Sequence, residues 1–480
     1  MSIIIPANSA VGGGFEVANS CRFDFVSKDE LDRTPSTNGS FVINTWSFWV
    51  KRKGVANDRR RLFSAYVSQS NNFMLGFDGS DRLEVAYDTG SFDFQIVTTR
   101  LFRDSSAWYN IVVTQDAGED SSDDRIKIYV NGVRETSFAI NNRPSLNEGA
   151  NVINATSAKQ IIGQKGDPPG SGSEFFEGYM AEAVHIDGTA YQADSFGEFD
   201  SDSGIWKPIE SVVDLTFGTN GFYLPFTNSG ALGEDFSGKN NDLTVSNLTS
   251  IDQTTDTCTN NFATWNPILP MNSTTAIAEG NLKATTPSNY ASGASNSWFS
   301  TMGFSQGKWY AEFKPTTTPS GSCLFGIGFD LSNAQQGSTT SQYNFAYSTF
   351  GFAYQGTGGV GNDTVGYTST GYDSYTANDI IGIAVDVDNS KLYVSKNGTW
   401  QNSANPSSGT GGYTITADKE YFFAFADNAG AAVYVSEANF GNAPYAISSG
   451  NQDGNGYGNF EYAVPSGYYA LNTKNLAEYG

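Results

Sequence analysis

Histidine and cysteine are sparse in this 480-residue chain, and the spacing of its many carboxylates does not suit acid–base or nucleophilic catalysis. Glycoside hydrolysis needs two carboxylates flanking one bond. The nearest approach is Glu84 with Asp88, which falls at a strand end, while Glu312 stands alone in its strand. The single histidine, His185, lies in the run Ala183 to Ile186 with no nucleophile or metal partner nearby, so a structural hydrogen bond is its expected role. Cys21, Cys258 and Cys323 are odd in number and far apart, which suits buried free thiols and neither a disulfide framework nor a zinc site. Gly326-Ile327-Gly328 imitates a dinucleotide loop, but Phe329 continues a strand and no helix follows. No catalytic residue, metal or cofactor is expected, and the chain reads as a non-enzyme.

Binding chemistry is better represented. Tyr343, Tyr347, Tyr354, Tyr367, Tyr372 and Tyr375 fall in stretches rich in Gly, Ser and Thr. That mixture gives a binding loop rigid aromatic area with adaptable hydrogen bonds, and aromatic faces beside Asn, Asp and Ser also suit sugars. Packing under the loops, where a large sandwich needs aromatic filler, accounts for the same residues, and both readings stand. The acidic stretch Asp116, Glu119, Asp120, Asp123 and Asp124 could offer oxygens to Ca²⁺, but it lacks the spacing of a calcium loop, so a solvated hairpin is expected. Lys51, Arg52, Lys53 and Arg59-Arg60-Arg61 form the one basic concentration, open to docking on an acidic neighbour or to plain solvation.

The balance of 27 basic against 50 acidic side chains, net −23, would repel a polyphosphate, so nucleic acid and anionic membrane are poor partners. No arginine follows Arg143, which removes bidentate phosphate or carboxylate capture from the rest of the chain. Met1 to Ala10 has a short apolar run without a basic region, and no stretch approaches the roughly 18 apolar residues of a membrane helix. Neither an export signal nor membrane insertion is expected.

These residues must be positioned by β-structure. Helical periodicity is almost absent, while runs rich in Val, Ile, Phe, Tyr and Thr recur between Gly/Asn/Asp/Ser clusters. Strands are predicted at 41–50, 72–76, 82–87, 92–98, 108–114, 125–130 and 178–186, then at 309–314, 324–329, 380–387, 391–395, 421–426 and 432–436. Asn131-Gly132 supplies a tight hairpin turn. The length exceeds one core, since domains usually hold roughly 100 to 200 residues. The expected organisation is all-β: an N-terminal arm over 1–19, an antiparallel β-sandwich (jelly-roll) domain over 20–228, a polar connector over 229–275 and a second sandwich over 276–480.

Three resemblances sharpen this. Trp108 to Thr114 (WYNIVVT), Ile126 to Gly132 (IKIYVNG) and Gly178 to Ile186 (GYMAEAVHI) resemble the laminin-G and concanavalin-like jelly-roll superfamily over roughly Ser20 to Pro225. Gly307 to Phe313 (GKWYAEF), Phe325 to Phe329 (FGIGF), Asp379 to Asp388 (DIIGIAVDVD), Lys391 to Gly398 (KLYVSKNG) and Asn439-Phe440-Gly441 resemble the SPRY family in that family's order. The pairing of these modules with Asp235 to Asp242 (DFSGKNND) and Pro465 to Thr473 (PSGYYALNT) is similar to virion proteins of tailed bacteriophages. That resemblance implies a tail fibre or receptor-binding protein, assembled in the host cytoplasm and carried on the virion. It would touch other virion proteins and a host-surface glycan or protein, and by analogy form a homo-oligomer such as a trimer. A head-decoration or fibre-shaft protein without a host ligand is the alternative, and a polysaccharide depolymerase a further one. The chain shows no heptads, collagen period or β-helix repeat of the kind that trimerises fibres.

Overall fold

The computed structural model describes residues 14–54, 58–166, 174–268, 277–286, 296–321, 323–329, 345–346, 350–362, 365–427 and 433–480. The chain divides into two units with the boundary between Thr259 and Asn260, and the fold class is all-β, antiparallel β-sandwich.

The first unit carries β1 (Ser20–Phe23), β2 (Glu30–Arg33), β3 (Ile43–Arg52), β4 (Arg60–Ser68), β5 (Asn71–Phe77), β6 (Leu83–Asp88), β7 (Phe92–Thr98), β8 (Trp108–Asp116) and β9 (Ile126–Val130). There follow β10 (Val133–Arg134), β11 (Phe138–Asn142), β12 (Lys159–Ile162), β13 (Gly178–Asp187), β14 (Gly197–Phe199), β15 (Trp206–Pro208), β16 (Phe222–Leu224), β17 (Thr244–Ser246) and β18 (Gln253–Thr254). One sheet runs β10-β9-β8-β3-β13-β1-β18 with β16 on β13, and the facing sheet runs β11-β7-β6-β5-β4-β12-β2-β17. Alternation along β3 explains the packing. Trp46, Phe48 and Val50 enter the core between the sheets, while Trp49 on the other face joins a second apolar cluster with Trp108, Tyr179, Phe196, Trp206 and Cys258. The outer face of this sheet is therefore roofed by residues between 193 and 217.

The stretch 229–259 is not a connector. β17 pairs with β2 and β18 with β1, so the first unit recruits it as edge strands. Its polar residues satisfy backbone: Asp235 accepts from the amides of Tyr223 (2.9 Å), Ser237 (2.8 Å) and Asn241 (2.8 Å). Polar composition here marks a hydrogen-bonded turn, not a tether.

The second unit carries β19 (Ile277–Ala278), β20 (Lys283–Thr285), β21 (Asn296–Phe299), β22 (Lys308–Pro315), β23 (Cys323–Gly328), β24 (Gly351–Gln355), β25 (Val360–Asn362) and β26 (Gly366–Thr368). It continues with β27 (Ile381–Asp386), β28 (Lys391–Lys396), β29 (Thr399–Trp400), β30 (Tyr413–Thr414), β31 (Phe422–Asp427), β32 (Val435–Asn439), β33 (Tyr469–Ala470) and helix α1 (Thr473–Tyr479). One sheet is β19-β20-β32-β22-β27-β28-β29, with β30 on β28 and β33 parallel to β22; the other is β21-β31-β23-β24-β25-β26. Trp309, Ala311 and Phe313 of β22 point inward, and Phe313 stacks on Phe325 with ring centroids 5.5 Å apart. The outer face carries Tyr310 and Glu312 and is roofed by Phe460, Tyr468 and Ala470. Gly326 sits where a Cβ would stand 2.0 Å from the Phe352 carbonyl oxygen, so its glycine serves close strand pairing.

Candidate binding cleft and the buried polar groups

Among the sequence-expected tyrosines, Tyr343 and Tyr347 lie outside the described residues. Tyr354, on β24, is fully buried, its hydroxyl donating to the Asp373 carbonyl, and burial pushes its phenol up. Tyr375 is buried too, donating to the carbonyls of Cys323 (2.9 Å) and Tyr354 (3.2 Å). Tyr372 is half-buried with its ring 6.3 Å from that of Tyr354, and Tyr367 is half-buried on edge strand β26. Tyr354 and Tyr375 are thus core residues of the sandwich end and offer no free ring face. The physical reason is that a wide sandwich needs large side chains with a polar tip where its loops fold over.

Lys51, Arg52 and Arg61 of the basic cluster also turn inward, while the acidic loop stays at the surface. Arg61, fully buried, donates to Glu84 at 2.8 Å and to Glu174, Arg52 pairs with Asp81 at 3.0 Å, and Lys51 with Asp256 at 2.8 Å. Lys53 pairs with Glu177 and Arg60 with Asp58, so the basic run is largely neutralised by the chain itself. Glu84, a candidate acid, is held below its ordinary range by Arg61 and Gln95 against a desolvation that works the other way. In the acidic loop Glu119 faces Lys127 (3.0 Å) and Asp124 faces Arg134 (2.7 Å), while Asp123 accepts from Asn141 (3.2 Å). Among the described residues no three metal-ligating side chains converge.

His185 is buried, its Nε2 3.0 Å from the Asn154 side-chain oxygen, and its ring stacks on Phe63. Burial pushes its pKa down to about 3, so it is a neutral core imidazole. Glu312 accepts from the amides of Glu461 (2.9 Å) and Tyr462 (2.8 Å), the Tyr310 hydroxyl (3.0 Å) and the Asn439 amide (3.1 Å). It therefore clamps the roof segment onto its sheet, and burial pushes it up to about 7.

Sequence reasoning passed over Glu182. β13 bulges between Ala181 and Val184, and Glu182 takes a left-handed backbone (φ 49) there. Its carboxyl accepts from the Tyr223 hydroxyl at 2.6 Å, and burial pushes it up to about 7. It lines a closed crevice with Trp49, Val184, Phe196 and Val212, which contains no second carboxylate. One acid under an apolar roof cannot supply the pair that glycoside hydrolysis uses.

The second unit offers an open cleft of about 450 Å³, a size within the range of small-ligand sites. Three turns build it. Gln306 and Lys308 enter β22, Asp388 sits in the β27–β28 turn, and Gly467 with Tyr469 precede and start β33; Tyr479 closes it from the last turn of α1. Tyr469 and Tyr479 stack with centroids 3.9 Å apart and planes at 9°. Asp388 accepts from the Gly307 amide at 2.9 Å, which fixes its carboxylate, and Lys308 pairs with Asp386 at 3.0 Å. The hydrogen bond with Tyr469 pushes the Tyr479 phenol up to about 12, so it stays neutral. This arrangement can stack a flat or C–H-rich ligand and hydrogen-bond its rim, and its lining residues include no nucleophile–base pair. The signals in the sequence were the Tyr468-Tyr469 doublet and the Asp388-Asn389 turn.

Against known proteins, a family model described as the concanavalin A-like lectin/glucanases superfamily matches residues 30–192, within the first unit. The structure is similar to the SPRY domain of human HERC1 (14% identity, 31% of this chain and 83% of that one, TM-score 0.24). It is also similar to a heptameric SAP-like pentraxin from Limulus polyphemus (14% identity, 37% and 80%, TM-score 0.27). A third similarity is to a putative carbohydrate binding protein from Bacteroides ovatus (16% identity, 48% and 60%, TM-score 0.31). No curated protein sequence matches the chain.

Proposed function

We propose that this chain is a binding protein of the outer surface of a tailed-bacteriophage particle, of the tail-fibre or receptor-binding type, whose second unit engages a host-surface glycan. The observation that carries the binding reading is the cleft of Tyr469, Tyr479, Asp388 and Lys308, which presents aromatic surface and both hydrogen-bonding senses to solvent. The concanavalin-like match supports binding in a second way, because that superfamily is named for lectins as well as glucanases. Against hydrolysis stands the lone, roofed Glu182 and the clamping role of Glu312. The virion placement rests on module order: a laminin-G-like run, the DFSGKNND turn, then a SPRY-like run.

The test uses the purified full chain on a panel of bacterial cells and their extracted surface polysaccharides, alongside mass spectrometry of purified phage particles. Saturable binding to some cells, weakened about tenfold or more by Tyr469→Ala, is expected. A folded protein that binds none of them, or whose binding ignores Tyr469→Ala, would remove the cleft from the proposal. Particles lacking the chain would remove the virion role.

A further inference from the structure

Resting on that reading, we infer that the cleft selects an uncharged sugar, which lays a pyranose C–H face on the tyrosine pair and gives neighbouring hydroxyls to Asp388. The argument starts from what each lining group has left to offer. Asp388 spends one oxygen on the Gly307 amide (2.9 Å), and its other oxygen has no partner among the described residues. A carboxylate oxygen so placed accepts from hydroxyls and cannot donate to an acid. Lys308 is a third exposed, and its ammonium is already shared with Asp386 at 3.0 Å and lies 5.7 Å from the Tyr468 ring centroid. Its charge is cancelled locally, yet an ammonium has three N–H groups, so donors remain for a ring or hydroxyl oxygen. Gln306 is exposed, and its amide nitrogen donates at 2.7 Å to the Gly480 carbonyl, which leaves its side-chain oxygen as a further acceptor.

Charge then decides the class. Asp388, Asp386 and Lys308 leave the cleft net negative, and the whole chain carries −23. A uronate, sulfate or phosphate would meet repulsion here, with no arginine anywhere in the second unit to offer a bidentate clamp. A polyol satisfies every group: hydroxyls donate to Asp388 and Gln306, a ring oxygen accepts from Lys308, and the apolar face covers a tyrosine. Purely apolar ligands would desolvate the carboxylate and leave its second oxygen without a donor.

The experiment titrates the full-length protein with matched soluble oligosaccharides, a neutral hexose series and the corresponding uronic acid series, by calorimetry at about 0.01 and 0.15 M salt. Neutral oligosaccharides are expected to bind at least about tenfold tighter than the uronates, with the gap narrowing at the higher salt. Asp388→Ala and Tyr469→Ala should each weaken the neutral series about tenfold or more, and Tyr469→Phe, which keeps the ring, should not. Unchanged thermal melting of each variant separates lost contacts from lost folding. Equal or tighter binding of uronates overturns the inference and leaves the binding function standing. So does an outcome in which no oligosaccharide binds but cell binding persists and still depends on Tyr469. Cell binding indifferent to Tyr469 and to Asp388 defeats both.

Discussion

Glu182→Gln should make the first unit markedly more stable at alkaline pH and leave it nearly unchanged in acid. The carboxyl sits in a β-bulge, 6% exposed, with the Tyr223 hydroxyl at 2.6 Å. Burial raises its folded pKa from 4.5 to about 7. Because the folded value lies above the unfolded one, the folded state holds the extra proton between them. The stabilisation is complete below about pH 4.5, declines as pH rises, and is lost above about pH 7. Two and a half units at about 1.4 kcal/mol each amount to about 3.5 kcal/mol. Glutamine keeps the shape and an acceptor for Tyr223 but never ionises, so that loss disappears. Asp29 and Glu312, whose values burial also raises to about 7, titrate equally in both proteins and cancel in the comparison. The assay is calorimetric melting of wild type and variant from about pH 4.5 to 8, following the transition of the first unit. For a unit this large about 3.5 kcal/mol corresponds to roughly 7–14 °C, so the two melting curves should diverge by that much as pH rises. Parallel Tm–pH profiles would refute the reasoning, because they would mean that Glu182 is ionised and satisfied in the fold.

His185 gives the opposite slope. Its folded pKa of about 3 lies below the ordinary 6.5, so its contribution is intact above about pH 6.5 and falls by about 1.4 kcal/mol per unit towards pH 3. His185→Gln should flatten the Tm–pH profile across that window, and an unaltered profile would show the imidazole already charged in the fold. Tyr354→Ala should cost about 3–5 kcal/mol in the second unit, read as a lower melting transition, because it empties a fully buried aromatic site and removes the hydrogen bond to Asp373. A variant melting like wild type would return Tyr354 to the surface.

What the sequence made legible follows from which faces are wet. Trp108 to Thr114 and Ile381 to Asp386 read as strands because their apolar residues recur with the pleat. β4, RRLFSAYVS, was hidden by its arginines: a run of three basic residues reads as solvated until Glu84 and Glu174, distant in sequence, are seen to neutralise Arg61 inside. The edge strands β17 and β18 were hidden by the opposite feature, polarity that serves the backbone of a turn around Asp235. The loop tyrosines were legible as aromatic but not as buried, since the residues that cover them come from other strands.

The cleft was the least legible element, and its construction shows why. Its groups stand at 306–308, 388 and 467–479, separated by some eighty residues at each step, so no local spacing or motif unites them. They meet because the short strand β33 docks parallel to β22, setting Tyr469 opposite Trp309, and because β27 and β28 return through the turn that carries Asp388. That late, two-residue strand follows a segment that Glu312 clamps through the Glu461 and Tyr462 amides. The buried acid that sequence reading set aside as a poor catalyst is thus what holds down the roof segment leading into Tyr469. Removing that clamp should disturb the cleft without touching any of its lining residues.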